Sequence, residues 1–311
     1  MGLRQEYQNA MTSPASVLVV TVNYNSLENT LQTLTSLAQM TYPRFEILLV
    51  DNGSTDGSLE AIHQAFPGVA LITNETNLGF AGGFNVGLQR GIDQGVDFIL
   101  AINNDTIVAP DMLSLLVEAC APGIGAVGPV IYYYDQRERV WSAGFHRHPI
   151  TLEMTGGQRH RVALGGQDRS PFPVDYLLGC AMLFSREALV ATGLFDSRFY
   201  LYYEDLDLSL RLQQEGDCLL TVPAARMWHK VAGSSGLGSP VRTYHLARSS
   251  ILFFRKHGRG WRSPFILFFR SGSAARKIGS LLLRGDTRGA RAYLRGLKDG
   301  WLAAATMPRI R

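Results

Sequence analysis

Cysteine is scarce. The 311 residues hold three, Cys120, Cys180 and Cys218, far apart and outside any C-x-x-C spacing. So few, odd in number and scattered, they exclude a disulfide framework and a cysteine zinc site, and they fit a reducing compartment. Charged residues are also thin, at 18%, against 46% hydrophobic and 10% aromatic, a balance that excludes a coiled coil, a collagen-like chain and wholesale disorder. No uninterrupted apolar run reaches the ~18 to 20 residues needed to cross a bilayer. Residues 1–15 lack the basic-then-apolar pattern of a signal peptide. The expectation is therefore a cytoplasmic protein that is not threaded through a membrane. A last scarcity is local, because acids almost vanish beyond residue 241. Residues 1–241 carry 14 Lys and Arg against 24 Asp and Glu, net −10, whereas residues 242–311 carry 16 against two, net +14. An acidic body suits a divalent cation, and a basic tail without offsetting acids suits an anionic surface, either lipid headgroups or nucleic acid.

What is present reads first as alternation. Ser16 to Tyr24 is a β-branched apolar run of the kind buried on both faces of a parallel sheet. Ser26 to Met40 follows with Leu27, Leu31, Leu34 and Leu37 at helical spacing and Ser26 placed to cap. A second apolar run, Phe45 to Val50, breaks at Asp51-Asn52-Gly53-Ser54. The rhythm continues through a helix over Ser58 to Phe66, a strand over Val69 to Thr73, a helix after Gly82 and a strand over Asp97 to Ile102. This predicts an α/β fold, a mostly parallel sheet with helices on both faces. Ligands then sit beyond the carboxyl ends of the strands, where Asn23-Tyr24-Asn25, Asp51 to Ser54 and Asn103-Asn104-Asp105 converge. Residues 135–173 read as an irregular or hairpin region able to serve as a lid. A helix is expected over Glu204 to Gln214 and a last strand over Leu219 to Val222, ahead of Trp228-His229. The Gly-Ser segment 233–240 reads as a linker, and three helices mixing apolar clusters with arginines follow it.

Candidate chemistry lies in three places. Asp105 ends a strand, where a carboxylate with few neighbours suits Mg²⁺ or Mn²⁺ shared with substrate phosphates, although an Asx turn would look the same. Glu204 and Asp205 open a helix flanked by aromatics that raise a carboxyl pKa toward that of a working base, while acids at a helix start also simply favour its dipole. His229 is a credible third ligand in that company and otherwise a structural histidine.

In this order and spacing, roughly residues 16–236 resemble the family 2 glycosyltransferases with the GT-A fold, and in particular their rhamnosyltransferase-like branch that builds cell-surface polysaccharide. The resemblance implies that Asp51 bonds the edge of a pyrimidine base and that Asn23 and Tyr24 line the base and ribose. It also implies that the glycine-rich stretch Asn77 to Gly87, with Gly79, Gly83 and Asn85, lies beside the donor. Asn103-Asn104-Asp105 takes the place of the family's DxD motif, with two asparagines ahead of the metal-binding Asp105. His229 joins the metal shell, Asp205 is the base, Glu204 its partner, and Gly179-Cys180 resembles the family's Gly-Ala near the acceptor. The implied reaction moves a sugar from a dTDP- or UDP-sugar to a saccharide or lipid-linked hydroxyl with inversion, assisted by Mn²⁺ or Mg²⁺. The implied organisation is a tail over 1–15, a GT-A domain over 16–239 and a basic helical extension over 240–311.

Two other readings use the same residues. A sugar nucleotidyltransferase should carry a glycine-rich basic loop after the first strand, and Tyr24-Asn25-Ser26-Leu27 has neither glycine nor base. A non-catalytic nucleotide-sugar-binding protein would not need Asp105, Asp205 and His229 together. For the tail, packing on the core competes with peripheral attachment to an anionic membrane, since its Phe-rich clusters can enter an interface. Nucleic-acid binding is not expected, because no recognised motif accompanies the charge. The sequence leaves the oligomeric state open.

Overall fold

The protein is described from a computed structural model covering residues 13–155, 169–230 and 239–305. Strand and helix alternate through the first third: β1 (Val17–Asn23), α1 (Leu27–Leu37), β2 (Phe45–Asp51), α2 (Ser58–Ala65), β3 (Ala70–Thr73), α3 (Gly79–Gln94) and β4 (Phe98–Ile102). β1 lies parallel to both β2 and β4, and β2 lies parallel to β3. The apolar run of β1 is continuous because helices cover both faces. Leu18 and Val20 pack with Phe84, Leu88 and Phe184 on one side, and Val17 and Val19 with Leu34, Leu37 and Leu49 on the other.

Beyond β4 the alternation ends. β5 (Thr106–Val108), α4 (Met112–Glu118) and β6 (Ile124–Tyr133) lead to β7 (Val140–Ser142), the short hairpin of β8 (His146–Arg147) and β9 (Met154–Thr155), and β10 (Phe172–Val174). β11 (Ala181–Ser185), α5 (Arg186–Thr192), α6 (Glu204–Gln214) and β12 (Cys218–His229) complete the body. β11 runs antiparallel between β4 and β6, and β12 runs parallel to β6. The main sheet is ordered β10-β12-β6-β11-β4-β1-β2-β3, with β5 and β7 on its side branches.

Several local expectations shift. The helix expected after Gly82 begins at Gly79, and its glycines are a packing device. A Cβ on Gly87 would overlap Val20, and one on Gly91 would lie 2.6 Å from Ile99 Cδ1, so glycine lets α3 approach the sheet closely despite its poor helix propensity. Ser26 holds the cap position of α1 without a side-chain cap bond. The last strand is longer than Leu219 to Val222: after a register shift between Val222 and Arg226 it continues along β6, so Trp228 and His229 belong to the strand. The hairpin expected within 135–173 is present as β8 and β9, whereas 156–168, the linker residues 233–238 and most of the 1–15 tail fall outside the described residues.

The basic extension forms α7 (Pro240–His257), α8 (Ser263–Leu283) and α9 (Thr287–Ala305). Ser239 Oγ accepts the N–H of Arg242 and Pro240 opens the first turn, a matched helix start. Leu252, Phe253 and Phe254 of α7 join Tyr176, Phe199, Leu206 and Leu210 in one buried cluster. Lys256, also buried, lies 2.8 Å from Asp196 and 2.7 Å from Asp207. Part of the tail's positive charge is thus matched inside the protein, as the packed alternative for the tail requires.

Candidate active site

The parallel pairing of β1, β2 and β4 brings their carboxyl ends to one edge of the sheet, and the register sets Asn23 opposite Asp51. A buried hydrogen-bond chain joins the three loops. Asn104 Nδ2 donates to Thr30 Oγ1 (2.8 Å), Thr30 Oγ1 donates to Asn23 Oδ1 (2.8 Å), and Asn23 Nδ2 donates to Asp51 Oδ1 (2.9 Å). The Ser54 N–H donates to Asp51 Oδ2 at 2.9 Å. Asn23 therefore sits beneath Asp51 and holds its carboxylate, whereas the resemblance has Asn23 lining a base. Each Asp51 oxygen keeps a further acceptor position. Tyr24 is exposed at the rim.

A second wall comes from the antiparallel half of the sheet. β5 pairs with β12 so that His229 faces Thr106, which places its ring beside Asp105 with Nε2 3.1 Å from Oδ1. Trp141 stacks on His229 at 4.9 Å and fixes the plane of the ring. The start of β11 lies against the end of β4, where the Asn103 N–H donates to the Cys180 carbonyl (3.0 Å). One residue earlier, the Gly179 N–H donates to Asp205 Oδ2 at 2.9 Å. A side chain at Gly179 would crowd Asp205 Cβ at 3.1 Å. The Gly179-Cys180 dipeptide thereby ties the Asp105 side of the site to the Asp205 side.

Glu204 and Asp205 are aimed by an unusual entry into α6. Tyr200, Tyr202 and Tyr203 all have positive φ, +56°, +67° and +72°. Bulky residues rarely adopt this conformation, which costs about 1–3 kcal/mol each. Packing sustains it: Tyr203 lies against Phe253 and Phe254 of α7, the Phe80 N–H donates to the Tyr200 carbonyl, and Ser249 Oγ on α7 bridges to the carbonyls of Phe199 and Leu201. Burial pushes both carboxyls up. For Glu204 the neighbouring Asp205 adds to the effect, and Glu204 Oε2 has no hydrogen-bond partner. For Asp205 the N–H groups of Gly179 and Leu206 oppose it. Burial and Asp205 together disfavour the charged form of Glu204, whereas the two N–H groups favour the charged form of Asp205.

Asn103, Asp105, His229, Glu204 and Asp205 line one cavity of about 420 Å³, whereas Asn23, Tyr24, Asp51 and Asn104 are not among its lining residues. It also contains residues that no motif flagged. Arg242 and Leu246 come from α7 and Met154 from the β8–β9 hairpin. In the sequence they are one more arginine of a basic tail and two isolated apolar residues, brought here by tertiary packing alone. The resemblance sets Gly79, Gly83 and Asn85 beside the donor, and in the structure all three are engaged in the scaffold. Gly79 is closed over by Tyr200, Gly83 packs on Asn52 and Val22, and the Asn85 amide exchanges two hydrogen bonds with the backbone of Phe195 (2.7 and 3.0 Å).

Among the described residues, no group of three or more His, Cys, Asp or Glu is placed to hold a metal ion. Asp105 and His229 supply two donors, with Asp105 Oδ1 and His229 Nε2 3.1 Å apart. That pair suits a hard divalent cation that takes its other ligands from a diphosphate and water. The residues fit such an ion.

A parallel nucleotide-type half-sheet joined to an antiparallel half, with strand-end carboxylates facing a carboxylate pair at a helix start, defines a glycosyltransferase of the GT-A fold. The chain belongs to glycosyl transferase family 2, whose model matches residues 18–191. It is 30% identical to the N-acetylglucosaminyl-diphospho-decaprenol L-rhamnosyltransferase of Mycobacterium tuberculosis, over 91% of this chain and 97% of the relative. It is 23% identical to the dTDP-rhamnosyl transferase RfbF of Shigella flexneri, over 78% of this chain and 81% of the relative. In fold it is similar to the mannosyltransferase PcManGT of Pyrobaculum calidifontis, solved with GDP-Man and Mn²⁺, with a TM-score of 0.56 at 18% identity, covering 97% of this chain and 92% of that one.

Proposed function

We propose that this glycosyltransferase is an inverting, divalent-metal-dependent rhamnosyltransferase. Its donor is a nucleoside-diphosphate sugar, dTDP-rhamnose ahead of a UDP-sugar, and its acceptor is a hydroxyl of a saccharide on a lipid carrier. The reading is carried by the meeting of two chemistries in one cavity, the Asp105–His229 pair suited to a diphosphate and Asp205 suited to an acceptor hydroxyl. Donor and acceptor class are taken from the relatives, one named for a decaprenol-linked substrate and one for dTDP-rhamnose.

Asp51, held from below by Asn23 and Ser54, meets the polar edge of the pyrimidine, and Tyr24 lies at the rim beside it. Asp105 and His229 would hold Mn²⁺ or Mg²⁺, which when bound neutralises the diphosphate as a Lewis acid. Asn103 and Asn104 shape the loop that presents Asp105, Asn104 through its bond to Thr30. Asp205 takes the proton of the acceptor hydroxyl as that oxygen bonds to the anomeric carbon. The bond from that carbon to the diphosphate oxygen breaks, and its electron pair leaves with the nucleoside diphosphate. One displacement inverts the centre, and no carboxylate nucleophile is required. Glu204, neutral and buried, keeps the pocket around Asp205 from carrying two charges. Such an enzyme works as a peripheral protein at the cytoplasmic face of an anionic membrane, where a lipid-linked acceptor resides.

Titration calorimetry with dTDP and UDP, with and without Mn²⁺, tests the donor half. Wild type should bind a nucleoside diphosphate more tightly with Mn²⁺, and Asp105→Ala should lose that increment. An increment kept in Asp105→Ala would overturn the metal assignment. Transfer from dTDP-rhamnose to polyprenyl-diphosphate-linked N-acetylglucosamine tests the donor and acceptor classes directly.

A further inference from the structure

Large apolar side chains stand exposed on the single turn at Gly260–Arg262 and on the N-terminal half of α8 that follows it. Phe268 is 85% exposed, Trp261 63% and Phe265 54%, and the rings of Trp261 and Phe265 touch at 6.2 Å. Leu283, at the far end of the helix, is 90% exposed. Only Ile266 and Leu281 of this helix are buried. Cations lie beside the patch and further along the same chain segment. Arg276 and Lys277 are exposed in the second half of α8 and Arg284 just past its end, Arg262 lies beside the Trp261 ring, and residues 242–311 contain two acids in all. Both acids are engaged elsewhere, Asp286 with the N–H of Gly289 and Asp299 with Tyr244.

The patch adjoins the active-site cavity. Arg270, next to Phe269, donates to Glu153 at 2.8 Å, and Met154, the following residue, lines the cavity and is itself exposed. Among the described residues no helix is long and apolar enough to cross a membrane.

We infer that Trp261, in the turn before α8, and Phe265 and Phe268 of the start of that helix insert into the interfacial layer of an anionic phospholipid bilayer and set the cavity mouth, at Met154, against the membrane surface. The choice of occupant follows from charge and shape. A lone helix with aromatic side chains proud of its surface and cations along its flanks matches the lipid interface, where rings sink to the acyl boundary and arginines meet phosphates. A bilayer is chosen over a protein partner because the proposed acceptor is lipid-linked, so the cavity has to work beside an anionic surface. The inference deepens the proposed function, because a lipid-linked acceptor then presents its saccharide at the cavity without leaving the bilayer.

The test is flotation of the full chain with vesicles of phosphatidylcholine alone and with a quarter phosphatidylglycerol. Wild type should float with the anionic vesicles and release as salt is raised. The double variant Phe265→Ser/Phe268→Ser, whose side chains make no core contact, should float about tenfold less or worse. Arg276→Glu/Lys277→Glu should bind less to anionic vesicles and no differently to neutral ones. Equal flotation of wild type and the Phe variant overturns the proposal. So does a wild-type dimer in light scattering that the Phe substitutions dissociate, since the face would then be a contact between copies. dTDP and UDP binding, measured on the same samples, separates the two readings. Vesicle binding lost with nucleotide binding intact places the fault in the Phe substitutions' membrane contact, as proposed. A wild type that binds nucleotide but never floats sinks the docking face and leaves the enzyme reading standing. One that floats without binding any nucleotide does the reverse.

Discussion

Asp205 and Glu204 are adjacent in sequence yet unequal in environment. Asp205 receives two backbone N–H groups, while Glu204 Oε2 is buried without a partner. Asp205→Asn keeps size and removes the base, so transfer should fall by about 10² to 10⁴ with donor affinity unchanged in calorimetry. Glu204→Gln has the shape of the neutral side chain that burial favours, so its transfer rate should stay within about tenfold of wild type. Burial raises the Glu204 pKa well above its ordinary 4.5. Stability is therefore full below that ordinary value and declines as pH rises toward the folded value. Glu204→Gln should remove that decline and melt higher than wild type at pH 8. A lower melting point at pH 8 than at pH 5, relative to wild type, would show that Glu204 is held ionised and that the roles of the pair must be exchanged.

At the scale of elements, α6 and α7 are one device. Asp207, with 0% of its side chain exposed, receives Arg211 Nε from its own helix and lies 2.7 Å from both Lys256 Nζ and His257 Nε2 of α7. Burial alone would raise its pKa, but His257, Arg211 and Lys256 together hold it below the ordinary 3.8. The sign is opposite to that of Glu204: the stabilisation is complete above pH 3.8 and is lost as pH falls through the folded value. Asp207→Asn leaves buried cations short of their counter-charge and should cost about 3–5 kcal/mol in urea denaturation at pH 7. The difference from wild type should shrink as the pH is taken below 4. Because α7 also braces the left-handed tyrosines through Ser249, this loss should lower transfer more than it lowers nucleotide binding.

Over the whole molecule, an acidic body and a basic tail are joined by buried ion pairs and by the shared apolar cluster of Tyr176, Phe199, Leu252 and Phe253. Deleting residues 240–311 should accordingly abolish cooperative unfolding, measured by calorimetry or near-ultraviolet dichroism, because it strips Phe253 and Phe254 from the core and Lys256 from two aspartates. A truncated chain that melted as sharply as wild type would show the body to be autonomous. For the same reason the membrane contact has to be tested with surface substitutions on α8, which leave this junction in place.

The strands, helices and strand-end loops of the first third were legible because local periodicity and backbone chemistry decide them. A β-branched run closed by Asp-Asn-Gly-Ser reads as a buried parallel strand and its loop, wherever the rest of the chain lies. The order of the carboxylates Asp51, Asp105, Glu204 and Asp205 was legible in the same way, as was His229 beyond them. What each does depends on distances between segments well separated in the chain. The pairing of β5 with β12 sets His229 on Asp105, and β11 against β4 delivers Gly179 to Asp205. Glycines that read as a ligand loop are a close-packed helix, since a missing Cβ looks identical whether a phosphate or Val20 fills the space. The tail shows the same limit. Its charge was countable in the sequence, but only tertiary packing decided that Lys256 and His257 face buried Asp207 and Arg270 reaches Glu153 while Arg276 and Lys277 of α8 stay exposed, because burial is a property of neighbours that sequence order does not specify.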